Sequence, residues 1–358
     1  MFQALIHSFT RREKGITFIN NKIIFMNNKT FWSIDAPYIT EFIAFKRSLG
    51  YKYQAQESIL LNFDKFLLEQ NKNCIGLSKE IADKWAKKRN GECELSRYGR
   101  MICISQFSSY LRNRGIKSYI PQLPKYPEST FIPHIYSYDE MAALFKACDS
   151  LRLKKRDMSS SLFVMPCLLR MLYATGIRVG EALFLKNKDV NINDKCLTLR
   201  ETKNGKERLV PFADIFSNVC KDYLQNRNKL PILNIDNRDH PFFVTLNGSC
   251  CRRDTVYKWF RKILDRAGIP FTGNRRGPRV HDVRHSFASH SLVKLADDGL
   301  DLYCSWPYLS AYLGHQSLEA TEQYVRLTAQ LYPELLKDAN SLYVDILPNI
   351  NNKQNQKL

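Results

Sequence analysis

The 358-residue chain lacks the marks of several familiar protein classes. No run of 18 apolar residues occurs, so no segment suits a membrane-spanning helix. Nothing at its N-terminus resembles a signal peptide. Its ten cysteines form no CxxC pair and no regular framework, and Cys250 and Cys251 are adjacent and poorly placed to pair. These absences predict reduced thiols, a cytoplasmic location and no membrane partner. Acidic side chains are also in the minority. Against 35 Asp and Glu stand 54 Lys and Arg, a formal net charge of +19. Residues 1–125 carry 21 of these cations against 10 acids, and the rest of the chain 33 against 25. Two basic halves point to one polyanion that touches both, because neutralised phosphates release counterions. On charge alone, a basic but otherwise ordinary enzyme is the alternative. An anionic membrane surface fits less well, since no strongly basic amphipathic helix is present.

The length suits two domains, each able to bury its own core. Residues 1–34 read as an N-terminal extension, in which ITFINNKIIFMNNKTFW alternates enough for a small hairpin. Residues 35–120 read as four helices. Ile39, Phe42, Ile43 and Leu49 mark the first, ended at Gly50, and Ile59, Phe63, Phe66 and Leu67 mark the second. A third spans roughly 78–89, and a fourth, about 95–112, brings Arg97, Arg100, Arg112 and then Arg114 to a compact basic module. Four prolines between 121 and 137 make residues 121–136 a linker, because proline lacks an N–H and pushes its predecessor out of the helical region. A second domain, 137–331, opens with a capping box of Ser137 and Glu140. SLFVMPCLLRMLYATG reads as an apolar helix ended by Gly176, and RVGEALFL as the start of another. CLTLRE and RLVPF are strand-like and flank TKNGK, whose Asn204-Gly205 is a hairpin signal. Helices resume around 214–228, 254–267, 281–296 and 307–313. Residues 332–358 read as a C-terminal helix and a disordered tail, NINNKQNQKL. The predicted fold class is mainly α with a small antiparallel β-sheet.

Three stretches carry chemistry. In HDVRHSFASH, His281, Arg284 and His285 lie at i, i+3 and i+4 and share a helical face. The two histidines suggest zinc only weakly: the Glu of an HExxH pattern and a third ligand are missing, and Arg284 repels a cation. An exposed basic face is the bland reading. The chemical one is an oxyanion site, since a guanidinium binds two oxygens of a phosphate at once. In ATGIRVGEALFL, Arg178 follows a glycine break and opens an otherwise apolar helix. There it is either salt-bridged to Glu181 at the surface or held at a fixed angle for function. Lys203, at the hairpin turn, can reach a bound substrate. In LGHQSLEATEQYV, Ser317 can cap a short helix whose one face holds Leu318, Thr321 and Tyr324. Among 18 tyrosines, packing is the default role for Tyr324 taken by itself.

Taken together, these motifs resemble the tyrosine recombinases, or phage integrase family, over residues 35–330 in organisation and 137–326 in detail. The resemblance implies an N-terminal helical core-binding (SAM-like) domain followed by a tyrosine-recombinase catalytic domain. It implies Arg178, Lys203, His281, Arg284, His315 and Tyr324 as catalytic residues, with Glu181 and His285 in support and Lys206 as the alternative hairpin lysine. Tyr324 attacks a DNA phosphorus to give a 3′-phosphotyrosine, the arginines hold the non-bridging oxygens, and the lysine protonates the leaving 5′-oxygen. His281 acts as general acid/base, and His315 donates a hydrogen bond to the phosphate. No metal or nucleotide cofactor is implied. The implied partner is double-stranded DNA, bound by a homotetramer on two sites, with companion recombinases in some systems. The linker and IPHIYSYDEM look most similar to recombinases of mobile elements. A type IB topoisomerase, a telomere-resolving enzyme and a DNA-binding protein without catalysis are the competing readings.

Overall fold

The computed structural model describes residues 16–19, 22–25, 30–127, 132–153, 157–200, 207–271, 273 and 277–314. The chain divides into two compact units, Met1–Thr130 and Phe131–Leu358. In the first, strands β1 (Ile16–Ile19) and β2 (Lys22–Phe25) pair antiparallel, with Ile16 opposite Phe25. Four helices follow: α1 (Ala36–Ser48), α2 (Gln54–Glu69), α3 (Lys79–Ala86) and α4 (Glu94–Asn113). Their apolar faces meet around Phe42, Phe63, Trp85, Ile104 and Phe107. Asp64, fully buried on α2, accepts the N–H groups of Trp32 and Ser33 at 2.8 and 2.9 Å and so ties the entry segment to the bundle.

Arg100 departs from the sequence reading. It is 4 % exposed and turned inward. Its Nε and Nη2 both donate to Glu92 at 2.9 Å, and further N–H groups reach the carbonyls of Trp85 and Lys87. Glu92 supplies the counter-charge that makes burial tolerable, so this cation ties α4 to the α3 end and is removed from the basic surface.

The second unit contains α5 (Tyr138–Ser150), α6 (Met165–Thr175), α7 (Val179–Phe184), α8 (Asp214–Arg227), α9 (Arg253–Arg266), α10 (Asp282–Asp297) and α11 (Leu302–Leu313). Strands β3 (Val190–Asn191), β4 (Cys196–Leu199) and β5 (Arg208–Pro211) form one antiparallel sheet in that order. The capping box at α5 is present: Ser137 Oγ accepts the Glu140 N–H at 3.1 Å, and Glu140 accepts the Ser137 N–H at 2.8 Å. α6 is apolar on nearly all sides and packs against α5, α8 and α10. β4 and β5 pair with Leu197 opposite Val210, whereas the hairpin turn at 201–206 lies outside the described residues. β3, two residues long, is too short for any alternation to betray.

α11 begins earlier than the sequence suggests and runs through Pro307. Pro307 looks like a first-turn proline, but the cap is Asp301, whose Oδ1 accepts the Cys304 N–H at 2.9 Å.

Gly176 ends α6 with φ +59°, and a Cβ there would lie 2.2 Å from Cδ1 of Phe287 on α10. Both the left-handed backbone and the close approach demand glycine. Gly176→Ala is therefore expected to cost about 2 kcal/mol or more. Calorimetry of the full chain should show a clear fall in the melting temperature of the second unit; an unchanged transition contradicts the packing described.

Candidate active site

Arg178 is the N-cap of α7, placed there by the left-handed turn at Gly176. Its backbone N–H donates to Glu181 Oε2 and its Nη1 to Glu181 Oε1, each at 2.9 Å. The same carboxylate receives a second arginine. Arg208, from β5, donates Nη2 to Oε2 at 2.9 Å and Nη1 to Oε1 at 3.2 Å. Burial alone would raise the Glu181 carboxyl. The Arg208 hydrogen bond, the Arg178 N–H and the two charges outweigh it and hold the group below its ordinary value. The Arg178–Glu181 pair is thus no simple surface salt bridge, because the Glu181 side chain is only 6 % exposed.

Arg284, on α10, is 2 % exposed. The bland reading of this helix, an exposed basic face, does not hold for Arg284. Its Nη1 donates to the Gly176 carbonyl at 2.7 Å and its Nη2 to the Leu313 carbonyl at 2.8 Å. These oxygens close the C-terminal ends of α6 and α11, which carry partial negative charge and favour a cation. Gly314, directly after Leu313, has φ +67°. Its missing Cβ leaves room for the Arg208 guanidinium, whose Nη1 lies 2.9 Å from where that atom would be. The Tyr312 hydroxyl donates to the Pro211 carbonyl at 3.0 Å and adds a second tie between α11 and β5.

His281 is the N-cap of α10, and its ring meets that of His285 edge to face, centroids 5.0 Å apart. Burial first, then the charges of Arg284, Arg178 and Arg279, push the His281 imidazole down to about 4. Behind the histidines, Asp282 accepts the Arg279 N–H at 2.8 Å and Arg279 Nη2 at 3.1 Å, so that pair is internally balanced.

Arg178, Glu181, His281, Arg284 and His285 are therefore gathered by the α6–α7 turn, the start of α10 and the end of α11. Lys203, Lys206, His315 and Tyr324 lie outside the described residues, as does the expected helix after 332. Arg208 escaped the sequence reading. Its signal was a cation opening a short apolar strand, RLVP, which is costly unless a carboxylate waits for it. Among the described residues, two guanidiniums share the one Glu181 carboxylate and a third, Arg284, is held by carbonyl oxygens, an arrangement suited to an oxyanion that gains charge as it reacts.

Residues 136–330 match the model of the phage integrase family. A putative integrase/recombinase of Sinorhizobium fredii is 30% identical over 306 residues, covering 84% of this chain and 94% of that protein. Tyrosine recombinase XerA of Pyrococcus furiosus is 28% identical, covering 67% of this chain and 74% of its own. Among solved structures, the XerH site-specific recombinase bound to its difH substrate superposes with TM-score 0.57 at 22% identity, over 80% of this chain and 78% of that one. The Tn1549 transposon integrase in complex with transposon end DNA gives 0.58 at 15%, over 80% and 93%. The last two show a shared fold.

The depressed His281 value has a consequence for stability. Unfolded, this side chain takes up a proton below about pH 6.5, whereas the folded one stays neutral until about 4. Acidification through that window therefore removes stability, on the order of 3 kcal/mol. An NMR titration of the full chain should place the His281 midpoint near 4, and His281→Asn should flatten the acid loss of stability. A midpoint at or above 6.5 contradicts the site as described.

Proposed function

As the chain belongs to the phage integrase family of tyrosine recombinases, we propose that Tyr324 is the nucleophile with which this site-specific DNA recombinase cleaves and rejoins strands. The Tyr324 oxygen bonds to the scissile phosphorus and the bond to the 5′-oxygen breaks, leaving a 3′-phosphotyrosine and a free 5′-hydroxyl. A phenol, with a pKa of about 10, must lose its proton to attack at neutral pH. His281, held neutral by its surroundings, is in the form that accepts one. Lys203 delivers a proton to the leaving 5′-oxygen; it precedes the Asn204-Gly205 turn, and Lys206, which follows it, is the alternative. Arg178 and Arg284 offset the charge that builds on the non-bridging oxygens. His315 adds a hydrogen bond, while Glu181 and His285 hold the site together. Attack by the 5′-hydroxyl of a partner strand reverses the step, and one phosphoester replaces another without an external energy source.

The observation that carries this reading is the Arg284 guanidinium. It binds the Gly176 carbonyl, two residues before Arg178, and the Leu313 carbonyl, two residues before His315. Three motifs far apart in sequence thus converge on one point, and Tyr324 follows His315 by nine residues.

The working partner is double-stranded DNA. The four-helix module of residues 35–120 and the second domain of 137–331, joined by the linker 121–136, are proposed to clamp the duplex from two sides. Relatives and neighbours named as integrases and recombinases favour recombination over a topoisomerase, a telomere-resolving enzyme or an inactive DNA binder. A homotetramer on two sites is supported by a lambda integrase tetramer solved on a Holliday junction; residues 332–358 are proposed to link protomers, with companion recombinases in some settings. The similarity to a transposon integrase fits a mobile element, and a cytoplasmic location is proposed from the sequence.

Tyr324→Phe should abolish covalent adduct on a nicked suicide duplex carrying the crossover site, while DNA affinity stays nearly intact, because the change removes a nucleophile and no charge. An adduct formed by the Phe variant would mean that another residue attacks.

A further inference from the structure

Arg208 has so far been given no role in the reaction, yet it touches two parts of the site. Its two terminal nitrogens grip both oxygens of Glu181, and its guanidinium fills the space beside Gly314. We propose that Arg208 is a positioning residue for DNA cleavage: through the shared carboxylate of Glu181 it aligns Arg178 on the scissile phosphate, and it seats the turn that leads to His315. The proposal rests on the reading that Arg178 serves that phosphate.

The physical case starts from the carboxylate. Glu181 accepts four N–H groups, two from each arginine, at 2.9 to 3.2 Å. With one partner, a buried carboxylate would form a closed, nearly neutral pair with Arg178 and blunt its attraction for phosphate. With two, its single charge is divided, Arg178 retains net positive character, and the bidentate Arg208 grip fixes the plane of the carboxylate and hence the angle of Arg178. The second half of the case is the turn. Gly314 is left-handed and without a side chain where Arg208 lies, and Tyr312 bonds the same strand at Pro211. Arg208 also follows Lys203, the proposed general acid, by five residues and Lys206, the alternative, by two, so it anchors the chain just after both.

A salt bridge that merely stabilises the fold predicts the same contacts, so the test must read the phosphate. Adduct formation is timed on two suicide duplexes, one normal and one with a methylphosphonate at the scissile position. The methyl group removes one negative oxygen and with it much of the demand on Arg178. On the normal duplex, Arg208→Ala should slow adduct formation about 100-fold, with DNA affinity little changed. On methylphosphonate its deficit should shrink by about tenfold or more, in parallel with that of Arg178→Ala. Arg208→Lys, which keeps the charge but loses the bidentate grip, should show a smaller deficit with the same dependence. It also serves if the alanine variant melts too early to assay. If the Arg178→Ala deficit shrinks while those of the Arg208 variants are equal on both duplexes, Arg208 is structural support only and the proposal falls. If the Arg178→Ala deficit does not shrink, Arg178 does not serve the phosphate, and the underlying reading falls with it.

Discussion

A buried guanidinium bound to the ends of two helices organises the second unit. Arg284 is almost wholly enclosed, and enclosing a cation is expensive unless opposite charge is supplied. The Gly176 and Leu313 carbonyls supply it, each closing a helix whose C-terminus carries roughly half a negative charge. The attachment works in both directions. The Gly176 and Leu313 carbonyls stabilise the cation without cancelling its charge, and the cation fixes the exit of α6 and α11. Phe287, one turn further along α10, presses on Gly176 at a distance that only glycine permits. A single helix thereby sets the position of two others through one polar and one apolar contact.

Charge balance follows from that arrangement. Among the described residues, Arg178 and Arg208 share the Glu181 carboxylate and Arg284 rests on carbonyl oxygens, while the neighbouring Arg279 pairs with Asp282. Such a cationic arrangement would suit the proposed pentacoordinate phosphate, which bears one more negative charge than the diester it came from. Dipoles and charges fixed before the substrate arrives need no reorganisation during reaction, the usual source of large electrostatic rate effects. Burial and these charges keep His281 neutral, so it adds no further charge and keeps a lone pair free.

Much of this was legible in the sequence wherever local chemistry decides the outcome. The Ser137–Glu140 box, the stop at Gly176 and the apolar face of α2 depend on neighbours within a turn or two, and each has a composition signature. The HDVRH and ATGIR motifs marked the residues that the structure gathers, but not the partners of Arg284, since carbonyl oxygens leave no trace in a sequence. Long-range ion pairs were equally silent. Arg100 looked like a surface cation until Glu92 and the carbonyls of Trp85 and Lys87 enclosed it, and Arg208 gave only the faint signal of a charge in a short strand. Pro307 misled because a first-turn proline and a mid-helix proline look alike when the true cap, Asp301, lies six residues earlier.

The central claim is a covalent bond between DNA and one tyrosine. The most direct measurement is mass spectrometry of peptides from protein trapped on a suicide duplex, with the attached nucleotide left on the residue. A nucleotide joined through its 3′-phosphate to Tyr324, directly after LGHQSLEATEQ, is the expected result. A nucleotide on any other side chain, or one joined through its 5′-phosphate, would contradict it.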